Sequence, residues 1–249
     1  LAAGSVCDDG GSRRALFHFF KIDNVGMQGE CLAYRRLGLR DGTTMAISHE
    51  VYSLFVEPYF RANIAGVISP EQIKFIQGLK MVNNMENLIS ENLYIFEAPE
   101  LKSIKDAVQE ILDAYAREVL CIEQKLYVTQ SWSLTNNPGI GMHGHSHSNS
   151  ILSGSLYYCE LPAPTASMVF TRHVNYQQID LAPDANKRNI YNTPINRVIP
   201  KQNDVILFSS RLTHMVEPNT SGQQRHSIAF NTFVKGKLGN YRDVSELAL

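Results

Sequence analysis

The sequence predicts a mainly β domain, a sandwich or jelly roll, with helices from its N-terminal part packed against it (α+β by content). Two observations lead there. After Glu123 the apolar residues recur with period two in several short segments, and before it they recur at helical spacing in two segments. Helices first and strands afterwards exclude an alternating βαβ chain. A third observation sets the scale: 249 residues with 44% hydrophobic and 19% charged side chains are globular in composition and long enough to bury a sizeable core.

The elements can be justified in order. Residues 1–44 hold many breakers ("CDDGGSRR", "GMQGE", "RDGTT") and little periodicity. They are expected to be a poorly ordered extension, and not native sequence if translated in error, with one domain running from Met45 to Leu249. Val51 to Ile64 is apolar, aromatic and expected to be extended. "SPEQIKFIQGL" predicts a helix at about 70–79: Ser69 caps it, Pro70 suits the first position and Gln72 completes a capping box. A longer helix is expected at about 99–119, with Leu101, Ile104, Val108, Ile111, Leu112, Tyr115 and Val119 as its buried stripe and Lys102, Lys105, Asp106 and Glu110 opposite.

Strand candidates follow: "KLYVTQSWS" with Trp132 in the core, "ILSGSLYYCE", "SMVFTR", "DVILFSS" and "RHSIAFNTFV", seven or eight in all with the shorter ones. Turn signals "NNPGIG", "LPAP" and "PNTSG" separate them. The stretch from Leu161 to Gln202 is too long for a hairpin loop. It is expected to hold one or two short strands and a mobile segment that shapes substrate choice.

Charge and cysteine usage narrow the function classes. A net charge of −1 gives no electrostatic case for nucleic acid or an anionic membrane surface as partner. No run of 18 apolar residues is present, so no membrane span is expected. Cys7, Cys31, Cys121 and Cys159 form no CxxC pair and read as reduced thiols of a cytoplasmic protein.

Three histidines fall within "HGHSH", at His143, His145 and His147. Alternate residues of a strand share a face, so these imidazoles can converge on one metal ion. Downstream, His214 follows an apolar strand, and Arg225, Ser227, Ala229 and Asn231 alternate against His226, Ile228 and Phe230. The first face would hold a buried cation with no acidic mate nearby in sequence, so an incoming carboxylate is its candidate partner. Ser153, Ser155 and Tyr157 share a face of another strand and suggest a ligand-lined surface.

The combination of H-x-H, "SGSLYY" and "NDVILFSSRLTHMVEPNTSGQQRHSIAFN" resembles the 2-oxoglutarate/Fe(II)-dependent oxygenases of bacteria and phages, over roughly Val51 to Lys237. The resemblance implies a double-stranded β-helix (jelly roll) with helices on its outer sheet. It implies Fe(II) and the co-substrate 2-oxoglutarate, O2 consumption, and a dioxygenase that hydroxylates a small-molecule or peptidyl substrate with release of succinate and CO2. Carried over by position, His145 and His214 take two ligand places, and His147 stands where the wider superfamily has a carboxylate, with His143 as its alternative. Arg225 would meet the far carboxylate of 2-oxoglutarate, assisted by Ser227 and Tyr157. Two rivals compete. Gly139 followed five residues later by His145-Ser146-His147 fits the opening of a cupin motif, without the expected acid in Ser148 to Leu152. A non-catalytic jelly-roll binding module is the other.

Overall fold

The computed structural model describes residues 50–172 and 183–249. The expected extension at 1–44 and boundary at Met45 lie outside the described residues. The chain divides into Leu1–Val56 and a compact unit Glu57–Leu249. In the first, residues 50–56 form no helix or strand, and the Tyr52 hydroxyl donates to Glu50.

Two α-helices and thirteen strands occur among the described residues of the compact unit. The strands are β1 Tyr59–Asn63, β2 Met81–Asn84, β3 Asn87–Ser90, β4 Lys125–Asn136, β5 Met142–His145, β6 Leu152–Leu156 and β7 Met168–Thr171. They continue as β8 Ile195–Val198, β9 Asp204–Ser209, β10 His214–Val216, β11 Arg225–Lys235, β12 Lys237–Leu238 and β13 Leu247–Ala248. The count exceeds the expected seven or eight because β1 to β3 lie before Glu123, outside the segments read as strands, and the shortest ladders lack a readable alternation. Of the stretch 51–64, only Tyr59–Asn63 is strand.

The large sheet has the order β1-β9-β6-β11-β4-β3-β2 and the small sheet β5-β10-β7-β8. Strands β4, β6, β9 and β11 lie in the first and β5, β7, β8 and β10 in the second, so the chain repeatedly switches sheets. All the ladders are antiparallel. This is the jelly roll.

Helix α1 (Pro70–Gln77) starts as its sequence dictates: Ser69 accepts from the Gln72 amide, and the Gln72 side chain accepts from the Ser69 amide. Helix α2 (Lys102–Tyr115) follows a 3₁₀ turn at Pro99–Leu101. Its stripe of Leu101, Ile104, Val108, Ile111, Leu112 and Tyr115 is buried. Val119 is not part of it. The helix widens into a π turn at Ala116–Leu120 and ends at Cys121 in the left-handed region, which leaves Val119 38% exposed. The stripe packs on Leu126, Leu156, Ile228 and Phe230 of the large sheet. Each such side chain contributes roughly 1.5–3 kcal/mol by burial. Gly154 lets β6 pass the Phe230 ring, where a Cβ would stand 2.1 Å from a ring carbon.

Two bulges set what the other face presents. In the β4–β11 ladder Asn231 pairs with Gln130 and Thr232 with Val128, so Thr129 is an extra residue of β4. Leu126 and Val128 therefore pack toward the helices, but Ser131 and Ser133 take that side above the bulge. Trp132, expected in the core, is turned to the opposite face, half-buried. In the β5–β10 ladder His214 pairs with His145 but Val216 with Met142, which again gives β5 one extra residue.

Candidate metal centre and adjoining cavity

His145 ends β5 and His214 begins the neighbouring β10, where the ladder pairs them directly. His147 lies two residues past the end of β5, and its amide donates to the Ser210 carbonyl at 3.0 Å. The three side chains each offer a nitrogen, and these atoms lie within 4.8 Å of one another. Ring centroids are 4.4 Å apart for His145 and His214, 5.0 Å for His145 and His147, and 5.2 Å for His147 and His214. Such a set can close on a single metal ion.

Backbone carbonyls fix two of the tautomers. The Leu212 carbonyl accepts from His214 Nδ1 at 3.0 Å, and the His143 carbonyl accepts from His145 Nδ1 at 2.9 Å. A carbonyl only accepts, so both Nδ1 atoms carry the proton and both Nε2 lone pairs are left free to ligate. Burial disfavours the protonated form of His214 and of His147. It lowers His214 to about 3 and His147 to about 4, with repulsion from the neighbouring imidazoles adding to both. Phe208 stacks edge-on to His214 at 4.6 Å, and Trp132 lies 6.1 Å from His147.

His143 is not brought into this group. Alternation along β5 would place it beside His145, but the bulge turns it outward, where Nδ1 meets Glu86 Oε1 at 3.2 Å. Met142 and His145 face inward instead.

The imidazoles open onto a cavity of about 230 Å³ between the sheets. Arg225, at the start of β11 and only 2% exposed, lines the same cavity. Among the described residues its guanidinium pairs with no carboxylate, and its Nε has no hydrogen-bond partner. The nearest buried acid, Asp204, is bound to Arg61 at 3.0 Å. Arg225 Cζ stands 5.2 Å from the Tyr157 ring centroid, and the Tyr157 hydroxyl is also buried without a partner. Burial raises the Tyr157 pKa, partly offset by Arg225, so the phenol is protonated and can donate. Ser155 and Ser227 line the same wall. A lone buried guanidinium is costly unless an anion completes it, and these groups fit a carboxylate.

Ser153, by contrast, is occupied. Its Oγ donates to Asn231 at 2.9 Å and bonds Ser210 at 2.8 Å, a web that braces the strand ends behind the histidines. Three features were not anticipated: Trp132 as a cavity wall, and Asn84 and Asn87, which reach the cavity from the β2–β3 hairpin. The polar turn "NNMEN" was the available signal. From the stretch 161–202, Met168 lines the cavity. Residues 173–182 of that stretch lie outside the described residues.

Residues 130–231, from mid-β4 into β11, match the family model described as "Putative 2OG-Fe(II) oxygenase". Over that segment the chain is similar to the 2OG-Fe(II) oxygenases. That segment contains all three convergent histidines and Arg225. No curated protein matches the chain. Among solved structures it is similar to the non-heme α-ketoglutarate-dependent epimerase SnoN from nogalamycin biosynthesis, with 11% identity, TM-score 0.51, and 71% of this chain and 78% of that one covered. It is also similar to HygX from Streptomyces hygroscopicus, solved with nickel and 2-oxoglutarate bound (15% identity, TM-score 0.49, 71% and 82% covered). An oxidoreductase of the 2OG-Fe(II) oxygenase family from Burkholderia pseudomallei gives 9% identity, TM-score 0.49, and 70% and 83% covered. At these identities the SnoN likeness speaks for the fold alone. No helix among the described residues is long and apolar enough to cross a membrane.

Proposed function

We infer that this domain is a 2-oxoglutarate- and Fe(II)-dependent dioxygenase that hydroxylates a small-molecule or peptidyl substrate in the cytoplasm. His145, His147 and His214 hold the metal, and Arg225 holds the far carboxylate of 2-oxoglutarate with help from Ser227 and Tyr157. The observation that carries this reading is a single cavity lined both by three convergent imidazoles and by an unpaired buried guanidinium. A cupin-type dioxygenase without 2-oxoglutarate, or a non-catalytic module, would leave Arg225 buried with nothing to offset its desolvation.

When bound, Fe(II) and 2-oxoglutarate supply the oxidising chemistry that consumes O2 and releases succinate and CO2. The chain's residues bind, orient and shield. Leu212 and His143 carbonyls hold His214 and His145 in the ligating tautomer. Arg225 offers a planar fork that fixes a carboxylate in direction as well as position. Tyr157 donates its hydroxyl proton, and Phe208 and Trp132 keep water from the imidazoles. Three neutral ligands replace the usual two plus a carboxylate, so the bound metal keeps one more unit of positive charge, which favours an anionic co-substrate.

The test is anaerobic titration with Fe(II) and then 2-oxoglutarate, monitored by the metal-to-ligand charge-transfer absorption. The reading expects a band that needs both additions. Fe(II) binding without any band would remove 2-oxoglutarate from the account.

A further inference from the structure

The β2–β3 hairpin places a second, neutral polar group in the cavity. Asn84 and Asn87 are a cross-strand pair, and Asn84 Nδ2 donates to Asn87 Oδ1 at 2.9 Å. That bond fixes the Asn87 amide, which is only 3% exposed, and leaves its Nδ2 buried with no partner. An orphaned buried amide donor is destabilising, and a ligand acceptor can recover that loss. Ladder pairing puts Leu88 opposite Thr135, hence Asn87 level with Asn136 and, across β11, with Arg225. Two strand spacings separate Asn87 from Arg225, about 10 Å in the sheet, too far for one carboxylate to meet both.

We propose that Asn87 and the apolar wall of Ile89, Leu134 and Trp132 beside it form the primary-substrate subsite, and that the group admitted there is uncharged: an apolar body carrying a carbonyl or similar acceptor. The inference rests on the oxygenase reading and names its substrate class. Its second support is what the cavity lacks. Among the described residues lining it there is no Asp, Glu or Lys, and its one cation, Arg225, faces the co-substrate end. An entering ammonium or carboxylate would lose its hydration with no counter-ion, whereas an amide would exchange one hydrogen bond for another.

Three probes share one branched four-carbon body: isobutyramide, isobutyrate and isobutylamine. Their binding is read by saturation-transfer NMR on the anaerobic protein saturated with Fe(II) and 2-oxoglutarate. The wild type should bind isobutyramide at least about tenfold more tightly than either charged probe, the scale set by an unpaired buried polar group. Asn87→Leu should weaken isobutyramide about tenfold with 2-oxoglutarate affinity unchanged. The isosteric Asn87→Asp should shift preference to isobutylamine. Thermal melts confirm that both variants fold, and Asn87→Asp carries the test alone if Asn87→Leu does not. Equal or better binding of a charged probe to the wild type, no binding of isobutyramide, or loss of 2-oxoglutarate affinity in Asn87→Leu would overturn the proposal. Absence of Fe(II)-dependent 2-oxoglutarate binding in the wild type would overturn the oxygenase reading itself, a result seen before any probe is added.

Discussion

The two faces of the large sheet are made by the same strands and obey opposite rules. On the helix side, β11 contributes Ile228, Phe230 and Val234 to a continuous apolar cluster. On the cavity side, the same strand presents Arg225, Ser227 and Ala229, the first two buried and polar. Alternation alone separates stability from chemistry here, because one residue along the strand moves a side chain from one face to the other. The helix face is closed by its own contacts except at the Tyr158 hydroxyl, which is buried without a partner. The cavity face is left incomplete, with unpaired polar atoms on Arg225, Tyr157 and Asn87.

This contrast can be broken from either side. The largest expected effects on stability are on the helix face: Phe230→Ala should cost about 3–5 kcal/mol and Leu112→Ala about 2–5 kcal/mol in denaturant melts. Arg225→Met should do the reverse, leaving the unliganded protein as stable or more so, since it removes an uncompensated buried charge. It should still weaken 2-oxoglutarate binding by about 3–5 kcal/mol in calorimetry, with Fe(II) binding spared. Parallel loss of metal and co-substrate would mark Arg225 as structural.

Acid should expose the cavity face as the weaker one. His147 at about 4 and His214 at about 3 lie below the ordinary imidazole value of 6.5. Between those values the unfolded chain binds more protons than the folded one, so the metal-free protein should lose stability as pH falls from about 6.5 toward 4. Metal-free melts across that range check this, and a double His147→Gln, His214→Gln variant should flatten the slope. Smallest of all, His143→Ala breaks only an exposed pair with Glu86 and should cost less than about 1 kcal/mol.

Local signals were legible where neighbours in sequence are also neighbours in space. Ser69, Pro70 and Gln72 announced α1, and the helical stripe announced α2. The alternation of β11 announced a buried cation on a polar face. What could not be read depends on partners far along the chain. A bulge appears only in a ladder, so the turning of Trp132 into the cavity and of His143 away from His145 had no trace in either strand's own pattern. The β2–β3 hairpin was hidden for the same reason: its residues look like a polar turn until β3 pairs with β4.

The measurement that bears most directly on the metal centre is the Fe(II) content of four purified variants. His145→Ala and His214→Ala should bind no tight Fe(II), His147→Ala should lose affinity sharply while His147→Asp restores it, and His143→Ala should match the wild type. Full occupancy in His145→Ala, or loss of iron in His143→Ala alone, would contradict the assignment of the three convergent imidazoles.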